Sequence, residues 1–262
     1  MDKIPLWGIF LATLMITFVS IEIGLLMGKR ARGKLTREET THTGPLIAAS
    51  LSLLAFMLAI VFSAVESRVS ELKHVALDEA NAIGTTYLRA DLLPKTDRAV
   101  VRELLRDFVN LRIEAVQSDS DEHIEQAIRR TKQLHSELWS KAVEIAAQEP
   151  TPVIALFVQS LNDLIDLHEK RITLAIHYRL PEIIWLVLCG LAIIAMGMGG
   201  YDSGFSGGRR IISITTAAAV AFSVVLLMVV ALDRPHQHLS TTTEAAMLDL
   251  QEDIRNTIES QH

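Results

Sequence analysis

Four long apolar blocks interrupt a chain that is otherwise polar and patterned like helix. They run from Pro5 to Met27, Gly44 to Glu66, Pro181 to Tyr201 and Ile211 to Leu232. About 20 apolar residues cross a bilayer core of roughly 30 Å. The blocks carry few charges and do not alternate at period two as barrel strands would, so each predicts a membrane-spanning helix. The first block is too long for a signal-peptide core and has no small-x-small cleavage site near its end. It reads as an uncleaved span. Gly44-Pro45 suits a helix start, because a proline in the first turn loses no hydrogen bond the helix needs. "GMGGYDSGFSGG", residues 197–208, reads as part of a short turn between the third and fourth spans.

Residues 67–180 are polar overall but keep a helical period. No Gly or Pro stands between Glu66 and Gly84, so one helix is expected from about Pro45 to Leu92. At 1.5 Å per residue it is roughly 70 Å long, and about half of it must leave the membrane. Pro94 ends it. Thr96 offers an N-cap to the next helix, with Asp97 in its first turn. That helix puts Val101, Leu104, Leu105, Phe108 and Leu111 on one face. After the turn "SDSDEH", a further helix carries Ile124, Ile128, Thr131, Leu134, Leu138, Ala142 and Ile145 on one stripe. Thr151 and Pro152 form an N-cap/N1 pair for a helix expected to run on to the third span at Pro181. Beyond a break at Pro235, a last amphipathic helix shows Ala246, Leu250 and Ile254 on one side. The fold class is thus all-α: four transmembrane helices with a long helical insert between spans two and three, both spans continuing into it. The expected domains are 1–66, 67–180, 181–232 and 233–262.

Composition agrees with a membrane protein: half of the 262 residues are hydrophobic. A net charge of −6 gives no general basic footprint, and no nucleic-acid partner is expected. The single cysteine, Cys189, lies inside an apolar block and reads as a small buried side chain. Lys29, Arg30, Arg32, Lys34 and Arg37 crowd the loop after span one, and Arg209 and Arg210 the loop before span four. Lys/Arg excess marks the cytoplasmic side. Both termini and residues 67–180 are therefore expected in the periplasm of a bacterium, around a multi-pass protein of the inner membrane. The insert mixes both charge signs and reads as a solvated surface. There is no GxSxG, HExxH, Walker loop or CxxC, so an enzyme is not expected, nor any cofactor. The nine histidines do not cluster in sequence, and His236 with His238 is a weak metal spacing.

Some residues do invite a role. Ser52, Phe56, Ala59, Ser63, Glu66 and Ser70 fall at spacings of three and four on span two and its extension. Two readings fit this stripe. It is a pore lining, with hydroxyls facing water, Phe56 constricting and Glu66 at the mouth; or it is a seam where small residues let helices approach. Ala76, Ala80 and Gly84 form a ridge where another helix must come close. Glu79, Asn81, Thr85 and Thr86 could bond across that contact. Asp78, Glu79 and Arg89 beside the ridge suit a wet vestibule, and Arg89 and Asp91 suit ion pairs. Glu22 is an acid inside span one, a functional candidate unless it reaches the interface or pairs with Lys29, Arg209 or Arg210.

The segments "GPLIAASLSLLAFMLAIVFSAVESR", "DEANAIGTTYLRADLLP", "RELLRDFVNLR" and "LDRP" together resemble the bacterial bestrophin-like domain family, from about Gly44 to Pro235. The family name implies similarity to bestrophins. Those are oligomeric anion channels with four spans per subunit and a helical domain between spans two and three. The resemblance therefore implies a homo-oligomer in a lipid bilayer, passing inorganic ions along span two. A non-conducting scaffold or sensor, whose helical bundle binds a partner, is the second expectation.

Overall fold

The structure, a computed structural model, describes residues 4–32, 43–117, 121–176, 178, 180–206, 209–234 and 241–259. Among these every regular element is helical and no strand forms. The helices are α1 (Leu6–Ala31), α2 (Thr43–Arg89), α3 (Lys95–Gln117), α4 (Asp121–Gln148), α5 (Pro152–Ile176), α6 (Glu182–Ser206), α7 (Arg209–Asp233) and α8 (Thr241–Glu259). Four of them are long and apolar enough to cross a membrane: α1, α2, α6 and α7. The chain divides into two compact units. One comprises residues 1–67 and 180–234, the other residues 68–179 and 235–262.

In the first unit α1 and α6 pack backbone to backbone. Gly24 of α1 meets Gly197 of α6 and Gly28 meets Tyr201, while Gly200 and Gly204 of α6 meet Ile21 and Leu25 of α1. A Cβ at Gly24 would overlap the carbonyl oxygen of Gly197, and one at Gly200 that of Ile21. Ser20 Oγ donates across the seam to the Ile193 carbonyl at 2.6 Å. Without a hydrophobic drive between helices in lipid, such close approach and interhelical bonds hold spans together. The glycines of 197–204 are thus helical packing positions, not the turn expected from their number. α6 runs on to Ser206 because its small residues are covered by α1. Gly24→Ala is accordingly expected to destabilise the solubilised protein by about 1–3 kcal/mol through overpacking. Gly190→Ala, where a Cβ would meet nothing within 4 Å, is expected to melt like the parent.

The long second helix forms as expected, and a 3-10 turn, Ala90–Leu92, follows it. The fourth helix of the insert does not continue into the third span. α5 stops at Ile176 and α6 starts at Glu182. Proline disfavours helical backbone in the residue before it, and Leu180 stands in that place before Pro181. α3 begins at Lys95, one residue ahead of Thr96. Its first N–H groups, those of Asp97 and Arg98, donate to the Pro94 carbonyl. Thr151 does cap α5, its hydroxyl accepting from the Ile154 N–H at 3.2 Å.

The core of the second unit takes one stripe from each of its helices. Ile83 and Tyr87 of α2, Val101, Leu105 and Phe108 of α3, Leu134 and Leu138 of α4, and Phe157, Leu161 and Leu164 of α5 are buried together. Met247 and Ile254 of α8 close it, with Ala246 and Leu250 half-buried against it.

Candidate functional site

The polar centre of the second unit is a buried ion cluster. Glu79 projects from α2 and is fully buried. Its Oε2 lies 2.6 Å from Nε of Arg171 on α5. Its Oε1 lies 2.8 Å from Nδ1 of His168, one turn earlier on α5, and 3.8 Å from Nε of Arg112 on α3. An ionised carboxylate only accepts, so His168 Nδ1 carries the proton in this pair. The His135 ring of α4 meets the His168 ring edge-on, with centroids 4.9 Å apart. Phe108 packs beside both imidazoles, 5.1 and 5.8 Å from their centroids.

The helical period explains the convergence. On α5, Ile154, Phe157, Leu161, Leu164, His168, Arg171 and Ala175 recur at intervals of three and four and are all buried. His168 and Arg171 thus occupy core registers. Arg112 stands four residues after Phe108 on the α3 stripe, and His135 one after Leu134 on α4. Four helices each bring ionisable side chains to one depth of the core.

The environment sets their charges. Burial alone would raise the pKa of Glu79. The charges of Arg171 and Arg112, with the His168 hydrogen bond, outweigh it and hold the carboxyl far below its usual range. Burial, together with neighbouring Arg171, pushes Arg112 down to about 10, so it stays charged at neutral pH. Burial pushes His135 down to about 4, helped by His168 and Arg112 and opposed by Glu79. Burial also lowers His168, against the pull of Glu79. At pH 7 the cluster therefore holds two guanidiniums, one carboxylate and two neutral imidazoles.

This changes the sequence reading in two places. Glu79 is not part of a wet vestibule; it turns into the bundle, away from exposed Asp78 and half-buried Arg89. And two of the histidines do cluster in space, although the sequence scatters them. His236 and His238 lie outside the described residues. Among those described, no three His, Cys, Asp or Glu side chains converge as metal ligands.

The other candidates fall as follows. Ala76 and Ala80 are buried, and a Cβ on Gly84 would touch Leu250 Cδ1 of α8 at 3.2 Å. At Gly84 the helix that comes close therefore includes this chain's own last one. Thr86 is buried and donates to its own helix at the Ala82 carbonyl. Asn81 and Thr85 are exposed. Arg89 donates to the Leu156 carbonyl of α5 at 2.8 Å. Asp91 pairs with Arg102 at 2.7 Å and Arg98 at 3.6 Å, and Arg102 lies over the Tyr87 ring. Glu22 is exposed on α1 among Val19, Ile23 and Leu26. Ser52, Phe56, Ala59, Ser63 and Glu66 are all exposed on the face of α2 opposite its buried stripe of Leu54, Leu58, Val61 and Val65.

Four apolar helices of membrane-crossing length, and a separate helical unit around an ionised core, define a multi-span helical membrane protein. The chain belongs to the bestrophin-like domain family, whose family model matches residues 15–246. Comparison with curated proteins gives no match. Among solved structures it is similar to a bacterial bestrophin homologue from Klebsiella pneumoniae, seen in crystals of two single-substitution variants. The first has a TM-score of 0.66 at 12% identity, over 94% of this chain and 98% of the other. The second has a TM-score of 0.62 at 12% identity, over 96% and 98%. A variant of a membrane protein is similar too, with a TM-score of 0.61 at 12% identity over 96% of this chain and 97% of that one. At this identity the likeness establishes the fold.

Proposed function

We propose that the chain assembles into a homo-oligomer whose α2 helices surround a passive ion pathway across a bacterial inner membrane. One observation carries the reading. Ser52, Phe56, Ala59, Ser63 and Glu66 share a face of α2 on which all five are exposed among the described residues. An acid and two hydroxyls set against lipid tails would be costly, so this face needs water or a second subunit beside it. In this arrangement Phe56 forms the constriction and Glu66 a charged ring at the mouth, which favours cations over anions. The similarity to bestrophin-homologue structures supports the same overall architecture. The bundle and both termini lie in the periplasm, on the weight of the lysines and arginines in the short loops.

Purified full-length protein in planar bilayers, together with its native mass, tests this. A ring of four to six subunits with ionic conductance supports the pathway. A monomer or simple dimer that is silent in every salt and copurifies with a stoichiometric partner replaces it with the scaffold reading. Reporter fusions at the C-terminus decide the orientation separately.

A further inference from the structure

We propose that the buried cluster of Glu79, Arg112, His135, His168 and Arg171 is a proton-operated device that loosens the helical bundle reversibly in mild acid. The inference needs no conduction and stands whether or not α2 lines a pathway. Glu79 is the only buried carboxylate among the described residues, and it already faces two guanidiniums. One positive charge is thus in excess before either imidazole is protonated. A proton on His168 or His135 would raise that excess to two in a core where unpaired charge is expensive.

Proton placement sharpens the argument. His168 uses Nδ1 on Glu79, so an added proton must take Nε2. That atom is enclosed with no hydrogen-bond partner, and so is Nε2 of His135. A bare imidazole nitrogen tolerates such a place, but an N–H⁺ without an acceptor does not. The two rings are 4.9 Å apart, so two imidazoliums would also repel each other. The groups facing them are Glu79 from α2, Arg112 and Phe108 from α3, and Arg171 from α5. Only Glu79 favours protonation, and it is shared among Arg171, Arg112 and His168.

The sign follows from linkage. Between the ordinary histidine value of about 6.5 and the folded value of about 4 for His135, the opened bundle binds protons that the closed one does not. Closure is therefore favoured at pH 7 and above and weakens as pH falls through this window. Each imidazole contributes a factor of up to about ten per pH unit. Glu79 stays ionised throughout, so it does not drive the change.

Amide hydrogen exchange on the full-length wild-type protein in detergent, at pH 7.5 and 5.0, tests the proposal after correction for intrinsic exchange rates. The expected result is at least a tenfold loss of protection in α3, α4 and α5 at pH 5.0, regained on return to 7.5, with α1 and α6 unchanged. In His135→Phe with His168→Gln the loss should shrink to a fraction of this. The exposed His74→Gln control should behave like wild type. Should the double variant not fold, C2–H exchange of the wild-type imidazoles decides. Values for His135 and His168 well below 6.5 support the proposal. Ordinary values, equal protection at both pH values, or an undiminished loss in the folded double variant overturn it.

Discussion

Glu79→Ala is expected to lower the stability of the bundle by about 3–5 kcal/mol, the usual effect of removing one partner from a buried ion pair. Its melting temperature should fall by about 10 °C or more. The reason is what remains: Arg112 and Arg171 stay buried, and no other buried carboxylate among the described residues takes the place of Glu79. Their Nη2 atoms are already enclosed without partners. Glu79→Leu combined with Arg112→Met and Arg171→Met should recover most of the loss, because an apolar core of similar volume carries no charge to desolvate. Glu71 provides the contrast. It pairs with Lys170 at a similar distance, 2.7 Å, but both side chains are about half exposed. Glu71→Ala should leave the melting curve in place. Circular dichroism melting of the solubilised variants checks all three, and a Glu79→Ala protein that melts like wild type would remove the cluster from any account of the bundle.

Local rules reached far into this fold. The four apolar blocks mark the four long apolar helices, and the run without Gly or Pro after Glu66 correctly carried α2 through to Arg89. Val101, Leu105 and Phe108 of the α3 stripe and Thr131, Leu134, Leu138, Ala142 and Ile145 of the α4 stripe are buried as their spacing requires. Leu104, Leu111 and Ile128 are half-buried, and Thr151 caps α5. Where the expectations fail, the deciding partner is mostly distant in sequence. Nothing local says that the glycines of 197–204 are covered by α1, so their number suggested a turn. The break before Pro181 is the exception, a local one: proline disfavours helical backbone at Leu180, so α5 and α6 do not join into one helix. The ion cluster was partly visible. His168 and Arg171 continue a three-four stripe of Ile154, Phe157, Leu161 and Leu164, and a polar residue in core register needs a buried partner. Reading charge by register, rather than by overall balance, would have flagged them. That Glu79 is the partner, 89 residues away, is tertiary information.

Ser63→Trp is expected to abolish at least about 90% of any conductance while leaving subunit number and bundle stability intact. The side chain is exposed among the described residues, on the stripe between Ala59 and Glu66. If subunits place this stripe around an axis, one large ring per subunit is repeated at the same height and fills the path. Ser63→Ala keeps the bore and should conduct. The same substitution separates the competing placements. On a packing seam between subunits, small residues allow close approach, and an indole would force the helices apart. The oligomer would then dissociate, with the current lost only as a consequence. Against lipid, tryptophan would be harmless and the current would persist. Glu66→Gln adds an independent axis: a charged ring at the mouth predicts weaker cation preference with little change in subunit number. Currents in planar bilayers, read beside native mass for each variant, tell these cases apart. A conducting Ser63→Trp oligomer would remove this face of α2 from the pathway.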